Sequence, residues 1–213
     1  MSKFLCTLAI SIAFLITFSS TSAFQMPDID LPEGFSIKVL TDQVPGARSM
    51  ALGDKGTLFV STMREGKVYA VSGIDSEPEV LTIASGLYMP NGVAFKDGDL
   101  YVAEIHRVHK FEDIEDRLNA PKSRIINKSY PTDRHHGWRY ITFGPDGKLY
   151  IPIGSPCNIC DEPDYGVITR IDTDGSNKEV IAHGIRNTVG ITFHPQTNDL
   201  WFTDNNKDMM GDD

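Results

Sequence analysis

Cysteine is nearly absent, with three in 213 residues: Cys6 in an N-terminal apolar run, and Cys157 and Cys160 in the motif CNIC. Asp161, not histidine, follows Cys160, which excludes covalent haem attachment through a C-x-x-C-H motif. The two further ligands that a zinc site would need are not evident. A basic run is also missing. The formal net charge is −9, a poor match for nucleic acid or an anionic membrane surface. No stretch is apolar for long enough to cross a bilayer, which takes about 20 residues; the longest, FLCTLAISIAFLITF, has 15. Finally, no long helical periodicity competes with the strand patterns, and IEDRLN amounts to one turn or two.

The apolar run sits between Lys3 and the small residues TSA, the order of a secretory signal, with cleavage expected after Ala23. Residues 1–23 are thus expected to be a signal peptide, and 24–213 the mature domain, located in the periplasm or outside the cell without stable membrane insertion. Removal takes Lys3 and no acid, moving the charge to −10, and it takes Cys6. In an exported chain the remaining Cys157 and Cys160 read as a local disulfide.

What is present is repetition. SMALGDKGTLFVST (49–62), NGVAFKDGDLYVAE (91–104), YITFGPDGKLYIPIG (140–154) and GITFHPQTNDLWFTD (190–204) share one design. Each is an apolar strand, a polar turn, then an alternating strand. Aligned on Leu58, Leu100, Leu149 and Leu200, they recur after 42, 49 and 51 residues. Strand-like pieces such as KVYAVSG, RVHKFED and GVITRIDTDG follow. A hairpin at this period predicts an all-β fold, a β-propeller with about four strands per blade. The chain stops at MMGDD, after the second strand of the fourth unit, so about four blades of a longer, truncated ring are expected.

Residues entering the innermost strand of each blade converge on one end of a propeller axis. Those positions hold Arg48, Asn91, the cluster His135, His136 and Trp138, and the pair Arg186 and Asn187. Convergent polar groups ahead of apolar strands suit a ligand pocket. Each also has a plainer role: the arginines bridging blades through carbonyls, the asparagines serving turns, His135 at the surface, Trp138 as a core plug. Four blades doing this in register favour a site.

HHGWRYITFGPDGKLYIPIGSPCNIC, LYVAEIHRVHKFEDIE and HGIRNTVGITFHPQTNDLWFTDNNKDMMGDD resemble the glucose/sorbosone dehydrogenases, from about Gly34 to Asp213. These are exported six-bladed propellers that use pyrroloquinoline quinone (PQQ) and Ca2+. The resemblance implies PQQ- and Ca2+-dependent oxidation of an aldose or sorbosone-like sugar, with electrons passed to an acceptor the sequence does not identify. It places the general base at His136, eight residues before the GPD turn. It matches the quinone-holding pair to Arg186 and Asn187; Arg48 and Asn91, from their place at the strand mouths, are expected as further cofactor contacts. The Ca2+-binding carbonyls fall at Asn206 and Lys207. The aspartate that orients the base in the family's soluble glucose dehydrogenases is replaced by Ser155, so a less basic His136, or a substitute acid such as Glu104, is expected. The alternatives are a Ca2+-dependent lactonase or esterase using Asn91, Glu104, Asn187 and Asp204, and a non-catalytic interaction propeller.

N-terminal sequencing of protein recovered from the periplasm or medium is expected to start at Phe24 or within a residue or two of it. Met1 retained on a soluble cytosolic product would refute export.

Overall fold

A computed structural model describes residues 27–209; the expected leader and Cys6 lie outside the described residues. The chain divides at Val39–Leu40. In the first unit, residues 27–39 are exposed and irregular, with one turn closed from the Phe35 amide to the Pro32 carbonyl.

The second unit is built of antiparallel sheets. The first holds β1 (Ala47–Leu52), β2 (Leu58–Thr62), β3 (Val68–Ser72) and β4 (Glu79–Ala84) in that order. The second repeats the pattern with β5 (Gly92–Lys96), β6 (Asp99–Ala103), β7 (Val108–Phe111) and β8 (Ser123–Asn127). The third has β9 (Thr142–Phe143), β10 (Leu149–Ile153), β11 (Val167–Ile171) and β12 (Glu179–His183). A pair, β13 (Thr188–Phe193) and β14 (Leu200–Asp204), follows. All four expected hairpins are present, and IEDRLN reduces to a 3-10 turn at Ile114–Asp116. Local chemistry sets the turns. Asp97 and Gly98 join β5 to β6 with φ of 51° and 84°, the left-handed pair that a two-residue hairpin turn demands.

First strands of successive sheets lie side by side, β1 with β5 and β5 with β9, and β13 packs on β10. These are propeller blades. Side-chain alternation explains why the blades stack. On β6, Leu100 and Val102 pack with Phe59, Val68 and Ala70 of the first blade. Tyr101 and Ala103 point the other way, to Leu149, Ile151 and Ile153 of the third. A middle blade buries both faces, so its strands are apolar at both parities. Each fully buried Leu, Ile, Val or Phe contributes about 1.5–3 kcal/mol.

The segment leading into β9 is held differently. Arg139 is 2% exposed, and its three hydrogen bonds go to main-chain carbonyls: Nε to Ile105 at 2.9 Å, Nη2 to Pro131 at 3.2 Å and Nη1 to His136 at 3.5 Å. Burial pulls its pKa down to about 10. One guanidinium thus ties the turn after β6 to both ends of the 131–139 segment. Arg139→Ala is expected to cost at least about 3 kcal/mol, about 1 kcal/mol or more for each orphaned acceptor. Urea unfolding measures it, and an unchanged midpoint would mean that the carbonyls do not depend on Arg139.

Candidate functional site

Antiparallel pairing brings the residues entering the first strand of a blade to the same end as those leaving the second. Around β9 and β10 that end holds His136 and Ser155. His136 has φ of 49°, a left-handed backbone that costs a non-glycine residue about 1–2 kcal/mol. Its Nδ1 lies 2.8 Å from the Ser155 carbonyl. A carbonyl only accepts, so Nδ1 carries the proton, and Nε2 of the neutral ring keeps its lone pair. The Ser155 hydroxyl does not orient the ring; it donates to the Cys160 carbonyl at 2.9 Å.

Gly154 permits this approach. A Cβ there would stand 2.5 Å from His136 Cβ and 3.2 Å from the Arg186 carbonyl. The Ser155 amide donates to that same Arg186 carbonyl at 2.7 Å.

Arg186 and Asn187 are buried immediately before β13. Asp204, at the end of β14, accepts both of their amides, from Asn187 at 2.6 Å and Arg186 at 3.2 Å. The Arg186 guanidinium bridges the third and fourth blades. It donates to Asn158 O at 3.2 Å, Asn158 Oδ1 at 2.8 Å, Asn205 O at 2.9 Å and Asp208 Oδ2 at 2.8 Å.

A cleft of about 800 Å³ opens over these groups. Of the expected residues, His136, Arg186, Asn187 and Asn206 line it, with His135 and Trp138. The His135 ring lies 3.9 Å from that of His136, centroid to centroid. Three arginines, Arg64, Arg134 and Arg186, face one carboxylate, Asp208, in a chain whose net charge is −9. The Trp138 indole N–H is buried without a partner in this wall. That donor set suits an anionic ligand.

Arg48 and Asn91 do not line this cleft. They line a second, of about 540 Å³, which shares only Trp138 with the first. Arg48 Nε donates to Asn91 Oδ1 at 3.0 Å, and its guanidinium lies 5.7 Å from the Trp138 ring centroid. Lys207 lines a third cleft of about 270 Å³, together with Arg186 and Asn206.

Glu104 is no substitute acid for His136. It is fully buried, bonded to Arg107, His109 and the Tyr88 amide. Burial pushes its carboxyl up, and those partners outweigh burial and hold it at about 2. The Asn91 Oδ1 and both carboxylate oxygens of Glu104 and of Asp204 accept hydrogen bonds from protein donors. Among the described residues no group of three or more His, Cys, Asp or Glu could hold a metal. The carbonyls of Asn206 and Lys207 accept no hydrogen bond among the described residues. Cys157 and Cys160 are disulfide-bonded.

Sequence reasoning missed Arg64, Asn158 and Asp208, which follow the second strands of their hairpins, and Arg134. The available signal was the antiparallel hairpin itself.

Burial lowers the His136 pKa, with His135 and Arg186 adding to the effect and the Ser155 carbonyl and Asp208 opposing it. A depressed folded value contributes stability that is fully present above the unfolded pKa of about 6.5. It is lost as pH falls through the lower folded value. His136→Gln is therefore expected to flatten the acid limb of the stability–pH curve below pH 6.5, relative to the unmodified chain. Parallel curves, measured by urea unfolding from pH 7.5 to 4.5, would contradict it.

The family model described as glucose/sorbosone dehydrogenase matches residues 95–210, a span that starts in the second blade rather than at Gly34. An uncharacterized protein of Borreliella burgdorferi is 27% identical over 95% of this chain and 56% of its own length. The PQQ-bound aldose sugar dehydrogenase of Streptomyces coelicolor superposes with a TM-score of 0.64 and 17% identity, over 79% of this chain and 59% of that one. A calcium structure of a Trichoderma reesei carbohydrate-active enzyme of family AA12 gives 0.66 and 18%, over 80% and 48%. The chain spans about half the length of these relatives.

Proposed function

The chain belongs to the glucose/sorbosone dehydrogenase family, and from that premise we propose that it binds PQQ and Ca2+ and oxidises a sugar of the aldose or sorbosone class, after export to the periplasm or the medium. The observation that carries this reading is the cationic cleft in which His136, with Nε2 unprotonated, lies beside Arg186. When bound, the quinone supplies the hydride acceptor. His136 Nε2 takes the proton of the sugar hydroxyl, and Nδ1–H stays on the Ser155 carbonyl throughout. Arg186 binds an anionic edge of the cofactor through charge-assisted hydrogen bonds. Its side chain is 8% exposed whereas that of Asp208 is 73% exposed, so Asp208 is the partner that an anionic group of the cofactor would replace. Arg64 and Arg134 add positive field, Trp138 offers a face and an unpaired N–H, and Asn187 closes the wall. The carbonyls of Asn206 and Lys207 would hold Ca2+, a hard cation that takes oxygen ligands. Arg48 and Asn91 act at one remove, through Trp138. An external acceptor would take the electrons from the reduced quinone.

Reconstitution with PQQ and Ca2+, followed by single-turnover reduction of the quinone absorbance with an aldose, tests the proposal. His136→Gln is expected to leave cofactor affinity nearly unchanged and to slow reduction by roughly 10²–10⁴-fold, the usual share of a positioned base. Arg186→Ala is expected to weaken cofactor binding as well. His135→Gln acts more mildly, on substrate affinity. Absence of PQQ binding by the unmodified chain would overturn the reading, and abolition by His135→Gln but not His136→Gln would move the base by one residue.

A further inference from the structure

The segment between β10 and β11 contacts both proposed functional side chains. The Ser155 carbonyl accepts a hydrogen bond from His136 Nδ1 at 2.8 Å. Asn158 supplies two of the four acceptors around Arg186, its carbonyl and its Oδ1. The same side chain is doubly bonded to the segment after β14. Its Oδ1 accepts the Asp208 amide at 2.9 Å, and its Nδ2 donates to the Asp208 carbonyl at 3.1 Å. Asn158 stands between the two half-cystines of the CNIC motif, and Ser155 Oγ is bonded to the second of them.

We propose that Asn158 is the positioning residue of the site, fixing Arg186 and the 205–208 segment, and that the Cys157–Cys160 bond holds Asn158 in place for that task. The catalytic meaning of this inference rests on the roles given above to His136 and Arg186. A ring closed over so few residues removes little entropy from the unfolded chain, so global stability is a weak reason for the bond. Its effect falls on local geometry. An open CNIC loop frees the main chain at residue 158, and with it both acceptors offered to Arg186. Loss of the Asn158 side chain alone removes one acceptor to Arg186 and both bonds to Asp208, leaving the carbonyl.

The test uses the whole chain in its apo form. Solvent exchange of the Arg186 Nε–H is followed by 15N NMR, PQQ affinity is measured separately by titration, and thermal midpoints serve as control. Cys157→Ser/Cys160→Ser is expected to speed Arg186 Nε–H exchange roughly tenfold or more, the equivalent of one hydrogen bond to a charged group, with the thermal midpoint nearly unchanged. Phosphine reduction of the unmodified chain is expected to do the same. Asn158→Ala should give a smaller acceleration and Asn158→Asp, which keeps an acceptor, should restore most of the protection. Unchanged exchange in both the double-serine and Asn158→Ala chains overturns the proposal. So does a collapse of folding on removal of the bond, which would make it a staple of the blade. If the unmodified chain fails to bind PQQ while exchange responds as described, the cofactor reading fails and the positioning role stands.

Discussion

Every blade begins with an antiparallel pair, and that pairing dictates where chemistry can gather. A chain that enters the first strand at one end leaves the second strand at the same end. Adjacent first strands then bring these ends together from blade to blade. The large cleft is lined from both sources: residues before a first strand, such as His136, Trp138, Arg186 and Asn187, and residues after a second strand, such as Arg64, Asn206 and Asp208. Without the hairpin pairing, Ser155 could not meet a histidine nineteen positions earlier. The apolar alternation that stacks β6 between its neighbours holds those ends in register.

Main-chain carbonyls hold the nitrogen donors of this region. Arg139 is bound by Ile105, Pro131 and His136, Arg186 by Asn158 and Asn205 along with two side chains, and the His136 ring by Ser155. A carbonyl is present whatever the side chain, so such contacts leave little trace in residue identity. They also cost no side-chain entropy on the acceptor side. The price is geometric: backbones must approach closely, and Gly154 is where a Cβ would prevent it.

That explains how much was legible. The four hairpins, their period and the propeller class follow from alternation and turn chemistry, which are local. Arg48 at the start of β1 and the residues ahead of β5, β9 and β13 could be singled out because arginine, asparagine and histidine stand out at the mouths of apolar strands. Which of them meet could not be read from the chain. Arg48 and Asn91 bond to each other and line a neighbouring cleft, because partner choice depends on distances between blades. Asn158 and Asp208 look like ordinary loop residues, and only their mutual hydrogen bonds mark them. Serine at position 155 was legible as the loss of an orienting carboxylate; that its carbonyl assumes the orienting role was not, since a carbonyl belongs to every residue.

A carbonyl at that position, where the family resemblance leads one to expect a carboxylate, has a definite electrostatic consequence. Both acceptors fix the imidazole tautomer equally well, because each takes the Nδ1 proton. Only the carboxylate brings a negative charge that favours imidazolium. In its place His136 has partial burial, His135 against its ring and Arg186 nearby, all of which favour the neutral form. A base so placed is weaker, and by Brønsted behaviour it pulls less strongly on a hydroxyl proton. It is also unprotonated over a wider range on the acid side, so a larger share of molecules is ready to act there. In the proposed reaction, charge transferred with the proton must be balanced by the rest of the cleft. Asp208 is the one carboxylate among the groups lining it, and it raises the His136 pKa against the larger effect of burial. A polyanionic ligand replacing Asp208 on Arg186 would bring negative charge, and a Ca2+ at the Asn206 and Lys207 carbonyls would bring compensating positive charge. In the proposed reaction the basicity of His136 would therefore follow from the bound anion and the bound cation together, both acting beside Arg186.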